Sequence, residues 1–417
     1  MSFLRDVRRW ALLLLAGMVL VSAVWAGELP SAKPEAVGLS AAKLAEADAA
    51  VEKLVEGGKV AGAVFMVARK GKIAHFEVFG MRDIEAKKPM ERDTIMRFYS
   101  MSKPVTSVAA MILYEEGKFK LDDAVGKHVP ELKGLKVYSK PADGEAGYAE
   151  AKRQPTVRDL MRHTSGLTYG IFGDTPVDRM YRQKAVLGSR DLKQMAEKIG
   201  GLPLMFQPGA RWHYGVSTDM LGYLVERVSG QKLDEFFEER IFGPLDMRDT
   251  GFYVPAEKAG RFSRCYGPNT SGGLRETGEL GSDRFLKRPS QLSGGGGLVS
   301  TARDYMRFCQ MLLNKGQLGG VRVLKAETVE MMTRNQLPAG VYWGGRNGFG
   351  LGFSVQLTAD RSGRSHVGEY GWGGAASTHF WISPKDDLAV VALSQYMPFS
   401  GQLQGAVKSL VYAAIEE

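Results

Sequence analysis

The chain predicts an α+β fold: one antiparallel sheet built from its N- and C-terminal parts, flanked by helices, with a mainly helical segment inserted between them. Three observations predict it. β-rich runs at 61–79 and 349–394 lie near opposite ends of the chain. Both contain hairpin signals, Lys70-Gly71-Lys72 and Pro384-Lys385-Asp386-Asp387. Between them, from about Leu121 to 290, strand signals fade and capped helical patterns take over. The expected division is 27–120 with 291–417 for the sheet part and 121–290 for the helical part.

Residues 1–26 stand apart. Arg5, Arg8 and Arg9 precede the apolar run Ala11–Val24, and small residues lead to a cleavage point after Ala26. This reads as a signal peptide, too short for a lasting membrane span, so the expectation is an exported chain, periplasmic or secreted. Its removal takes the net charge from +9 to about +7. The Lys and Arg residues are scattered, with no basic block or groove signature, so no nucleic-acid partner is expected. Export would permit a disulfide between the two cysteines, Cys265 and Cys309, although Cys309 falls in a helical apolar run and reads as core. The six histidines form no His-x-x-x-His pair, and no metal site is expected.

Taken in order, Ser40–Gly57 reads as an amphipathic helix (Leu44, Ala47, Val51, Leu54). Ala61–Arg69 and Ile73–Phe79 form a hairpin. Ile95–Tyr99 reads as a short strand ending at Ser100. A helix follows, with Val105, Val108, Ala109, Met111 and Ile112 on one stripe and Pro104 in its first turn, where a missing N–H costs little. Ser100 and Lys103 share a face of that helix start. The free N–H groups and the positive dipole end there suit a developing oxyanion. A serine becomes a nucleophile only when a neighbour takes its proton, and a desolvated lysine can do so. The spacing recurs at Ser40…Lys43, which reads as an N-cap, and at Ser229…Lys232, which reads as a helix C-terminal turn. Only Ser100…Lys103 lies between an apolar strand and an apolar helix.

The middle segment offers helices at Thr156–Arg162, Leu192–Ile199, Met220–Val228 and Leu233–Ile241, and a loop over 265–290. Gly294–Gly297 reads as a flexible joint; no Lys-Ser/Thr follows it, which sets aside a phosphate loop. Thr301–Leu313 is a helix, Phe349–Leu357 a strand, Ala375–Ile382 and Leu388–Ser394 a hairpin, and Ala406–Ile415 a closing helix. A Ser–Lys pair needs a further group to move protons, and tyrosine can serve. Tyr214, after Pro208-Gly209 and just ahead of an apolar helix, has a suitable setting. His163 and His213 read as structural. No Gly-x-Ser-x-Gly elbow exists in the chain.

Five motifs then occur in order: Ser100-Met101-Ser102-Lys103, Arg162-His163-Thr164-Ser165-Gly166-Leu167, Pro208-Gly209 ahead of Tyr214, Gly297-Leu298-Val299-Ser300-Thr301, and Gly371-Trp372-Gly373-Gly374 before a hairpin. From about residue 35 onward the chain resembles the serine hydrolases with the class C β-lactamase, or transpeptidase-like, fold, and looks closest to the family VIII carboxylesterases. The resemblance implies acylation of Ser100, a proton network of Lys103 and Tyr214, and an oxyanion hole made by the N–H groups of Ser100 and Ala375. It implies a substrate wall of Trp372, Gly373 and Gly374 in place of Lys-Thr-Gly, and Val216 in place of the asparagine of Tyr-x-Asn. His366-Val367-Gly368 and Glu369-Tyr370-Gly371 are alternatives for the Lys-Thr-Gly position. A valine cannot hydrogen-bond an amide, and a tryptophan cannot pair with an anion. The expected partner is therefore a neutral small-molecule ester of small to medium acyl length, handled without metal or organic cofactor. A β-lactamase, a D-amino-acid peptidase, an acyltransferase or a non-catalytic penicillin-recognising envelope protein are the alternatives on the same scaffold.

Overall fold

The computed structural model describes residues 27, 29–139, 147–277, 282–345, 347–359 and 365–416. The expected signal peptide, 1–26, lies outside the described residues. The helices are α1 (Ala41–Glu56), α2 (Ser102–Glu115), α3 (Val157–Met161), α4 (Pro176–Gln183), α5 (Leu192–Gly200), α6 (Ser217–Ser229), α7 (Leu233–Phe237), α8 (Ala302–Leu313), α9 (Ala326–Met332) and α10 (Gln402–Ala413). The large sheet has eight strands: β1 (Gly62–Arg69), β2 (Lys72–Asp83), β3 (Lys88–Pro89), β4 (Asn347–Phe349), β5 (Ser354–Gln356), β6 (Tyr370–Gly374), β7 (Thr378–Ser383) and β8 (Leu388–Ser394). Their spatial order is β4-β5-β6-β7-β8-β1-β2-β3, and each neighbouring pair is antiparallel.

The seam of this sheet joins the two ends of the chain. β1 pairs with β8 in the register Phe65↔Ala392 and Val67↔Val390. Every residue of both strands is buried, because helices cover both faces. Alternation along the strands still sorts the side chains. Val64, Met66, Val391 and Leu393 enter the main core with α2 and α8. Phe65, Val67, Val390 and Ala392 enter a second core under α1 and α10. The main core also takes in apolar residues of α3, α5, α6 and α7. The antiparallel sheet with flanking helices is the architecture the sequence predicts.

The differences are local. The expected strand 349–357 is two short strands, β4 and β5, because the chain turns between them with Gly352 at φ +101°. Ala375–Ser377 is a tight turn, so β7 begins at Thr378. The 265–290 loop contains a short hairpin, Tyr266–Pro268 with Leu274–Glu276, and Lys136–Ser139 pairs antiparallel with Gly147–Glu150. Strands this short carry too little periodicity to read. Helix α4, announced by the Thr175/Asp178 capping box, was not expected at all. Cys265 and Cys309 are both buried and unpaired.

Asp159 in α3 ties the helical segment to its surroundings. Its side chain is fully buried. It accepts hydrogen bonds from Arg153, Arg162 (2.9 Å), Thr164 (2.7 Å) and the Thr156 backbone (3.0 Å). Arg162 also reaches the carbonyl of Gln336. Burial alone would raise this carboxyl, but those donors outweigh it and hold it down at about 2. A depressed folded-state value stabilises the fold above the unfolded value near 3.8, and that contribution is lost as pH falls through about 2. Asp159→Asn should therefore lower the unfolding free energy by roughly 2 kcal/mol at neutral pH. Urea titrations of both proteins should show the difference shrinking between about pH 4 and pH 2; a pH-independent difference contradicts this account.

Candidate active site

The nucleophile candidate is placed by three short segments. Met96–Arg97 pairs antiparallel with Val299–Ser300, and the Phe98 N–H bonds the Leu298 carbonyl at 2.9 Å. This lays 294–298 alongside the start of α2. The chain then makes one 3-10 turn, Tyr99–Met101, directly ahead of α2. Tyr99 has φ +42°, a left-handed conformation that strains a residue with a Cβ, immediately before Ser100.

Ser100 is half-buried and Lys103 is fully buried. The Lys103 Nζ donates to Ser100 Oγ at 3.1 Å and to the Gly295 carbonyl at 2.6 Å. The Tyr214 hydroxyl lies 2.7 Å from Ser100 Oγ. Hydroxyl, amine and phenol therefore converge within hydrogen-bonding reach, although Tyr214 is 114 residues from the serine in sequence. The Lys103 Nζ also lies 4.6 Å from the centre of the Tyr214 ring, so the two groups share one electrostatic environment.

Gly294–Gly297, expected as a flexible joint, is instead a packed turn. Gly294, Gly295 and Gly297 are buried. The Gly295 N–H donates to the buried Asp219 carboxylate at 3.1 Å, and its carbonyl holds Lys103. A Cβ on Gly295 would fall 2.5 Å from Asp219 Oδ2, so only glycine allows the approach. Asp219 sits in the first turn of α6, where the helix dipole favours a carboxylate.

Strand β6 supplies the facing wall. The Trp372 indole N–H points at the Tyr214 oxygen from 3.4 Å. Gly374 lies so close to the segment before Ser100 that a Cβ there would come within 2.2 Å of the Phe98 carbonyl. That contact brings the half-buried Ala375, next in the chain, beside the serine turn. Gly373 is half-buried in the same strand. Of the alternatives for this position, His366 Nδ1 bonds Asp386 (2.6 Å), and Glu369 accepts from Lys408 (2.5 Å) and Tyr412. Both are engaged elsewhere. Val216, expected beside the substrate, has no accessible surface and packs in the main core at the start of α6.

Rings surround the phenol. His163 lies 5.0 Å from Tyr214, Tyr169 5.4 Å, Trp372 5.6 Å and Trp212 5.9 Å. Burial, reinforced by the nearby Lys103 charge, pushes His163 well below the usual imidazole range. Burial, reinforced by Tyr214 and Asp219, pushes the Tyr169 phenol well above its ordinary value. His213 instead bonds Thr168 at 3.1 Å. Asp219, Tyr169, Trp212 and the Gly295 carbonyl were not found by sequence reasoning. The one available signal was the glycine run itself, read as flexibility rather than as close approach. Among the described residues no three His, Cys, Asp or Glu side chains gather as metal ligands would, and no helix is long and apolar enough to cross a membrane.

The Beta-lactamase family profile matches residues 47–412. The chain is 37% identical to Protein Rv1367c of Mycobacterium tuberculosis over 84% of its own length and 89% of that protein. It is 30% identical to Esterase EstB of Burkholderia gladioli, over 92% and 99% of the two chains. The solved structure of EstCE1, described as a hydrolase with promiscuous acyltransferase activity, superposes with a TM-score of 0.74 at 26% identity, covering 89% and 98%. The match across nearly the whole chain, joined to the β-lactamase-like sheet, means that this protein is an enzyme of the beta-lactamase family, whose members are serine hydrolases.

Proposed function

We propose that the protein is a carboxylesterase that cleaves neutral esters of small to medium acyl length through an acyl-enzyme on Ser100. The supporting observation is the shared reach of Lys103 Nζ and the Tyr214 oxygen to Ser100 Oγ, 3.1 and 2.7 Å. The pair takes the hydroxyl proton as Oγ attacks the ester carbonyl. The N–H groups of Ser100 and Ala375 hold the oxyanion. As the C–O bond breaks, the proton passes back to the departing alcohol and the acyl group stays on Oγ. Water then gives its proton to the same pair, attacks the acyl carbonyl, and releases the acid with Ser100 reprotonated. Trp372 and Gly373 line the entrance on the β6 side with uncharged surface, which favours a neutral ester over an anionic β-lactam. EstB, a relative named as an esterase, supports the same reading.

Ser100→Ala should abolish p-nitrophenyl ester hydrolysis while circular dichroism and thermal unfolding stay unchanged. Retained turnover excludes the mechanism. Tyr214→Phe should lower kcat by roughly 100–10,000-fold with little change in KM, the signature of lost proton transfer. For the export reading, the amino terminus of the protein recovered from the producing cell's envelope or medium should begin at Gly27. An intact Met1 rules out processing there.

A further inference from the structure

Tyr214 is wrapped by more aromatic surface than a proton relay requires. Trp212 lies parallel to it, with 5° between the ring planes. Phe172 stacks 6.0 Å away. Trp343 bridges Trp212 and Trp372, at 5.5 and 5.3 Å. The outer members are open to solvent: Phe172 is 67% exposed, and Tyr342, next to Trp343, is 71% exposed. They come from separate loops, so rings continue from the Tyr214 ring to the surface along two segments of chain. Exposed aromatics are ordinary singly, but a group of them contiguous with the ring of a reactive phenol marks a ligand surface.

The position of these rings relative to the chemistry says which half of an ester they meet. On the proposed mechanism, the Lys103–Tyr214 pair returns the proton to the departing oxygen, and Tyr214 is the member these rings surround. Groups around Tyr214 therefore border the alcohol half. The acyl half extends from the carbonyl held between the N–H groups of Ser100 and Ala375.

We infer that the surface formed by Trp212, Trp343, Trp372 and Phe172 is the subsite for the leaving alcohol, and that it selects esters of alcohols carrying a flat aromatic ring. The inference rests on the esterase reading above. Ring faces and edges present complementary partial charges, so a planar aryl group gains offset-stacked and edge contacts that an aliphatic ring of equal size does not. The atom balance of the step is unchanged: the alcohol leaves as a neutral molecule carrying the returned proton, and the acyl group remains on Ser100 Oγ.

The test uses the whole enzyme and four esters: ethyl acetate, 2-phenylethyl acetate, 2-cyclohexylethyl acetate and ethyl phenylacetate. The leaving alcohols have similar acidity, so chemical reactivity does not set the order. The kcat/KM for 2-phenylethyl acetate should exceed that for ethyl acetate by roughly tenfold or more. It should also exceed that for the cyclohexyl ester, while ethyl phenylacetate gains no such advantage. Trp343→Ala and Phe172→Ala should each remove at least about threefold of the aryl preference and leave ethyl acetate within about twofold. An aryl preference on the acyl side, or equal losses on all four esters, overturns the inference. Turnover of ethyl acetate without any ring preference sinks the inference alone; no turnover of any ester sinks the esterase reading with it.

Discussion

The buried amine of Lys103 is the constraint on which the active-site geometry depends. Taking an amine out of water is costly unless its N–H groups are given acceptors. Two acceptors meet it, Ser100 Oγ and the Gly295 carbonyl. Among the described residues no carboxylate forms an ion pair with it. Gly295 is in turn fixed by the Asp219 carboxylate through its own N–H. A helix start, a glycine turn and the first turn of α6 must therefore close on one another before the lysine can be accommodated. The same closure puts its amine on the serine.

That closure draws on distant parts of the chain because the sheet does. β1 and β8 pair at the seam, and the two cores on either side of it bury both ends together. α2 rests on one face. β6, two strands from the seam on the C-terminal side, presents Trp372 and Gly374 to the serine turn. The helical segment then delivers Tyr214 from the loop ahead of α6. The nucleophile lies at the junction of all three, half-buried: open enough for a substrate, and dry enough that hydrogen bonds to an oxyanion carry their full weight.

Much of this was legible in the residues. The Ser100…Lys103 spacing between an apolar strand and an apolar helix, and the hairpins near both ends, describe the sheet and the nucleophile's place. Tyr214 was visible as a tyrosine ahead of a helix, but its partner was not, because contact across 114 residues leaves no local pattern. Gly294–Gly297 shows the opposite error. Glycine permits both looseness and close approach, and only the neighbours, Asp219 and Lys103 here, tell which applies. Val216 was placed beside the substrate by its motif position alone, and spacing does not reveal its full burial.

By itself the sequence determined the longer elements, because hydrophobic period, caps and turn residues act over a few positions, while α4 and the shortest strands escaped it. It also determined which chemical groups were present to react. The tertiary structure alone decided which backbone carbonyl holds the lysine, which ring faces the phenol, and how aromatic side chains from separate loops join into one surface around the Tyr214 ring. Those choices depend on close packing among segments far apart in the chain, where a shift of an ångström makes or breaks a hydrogen bond.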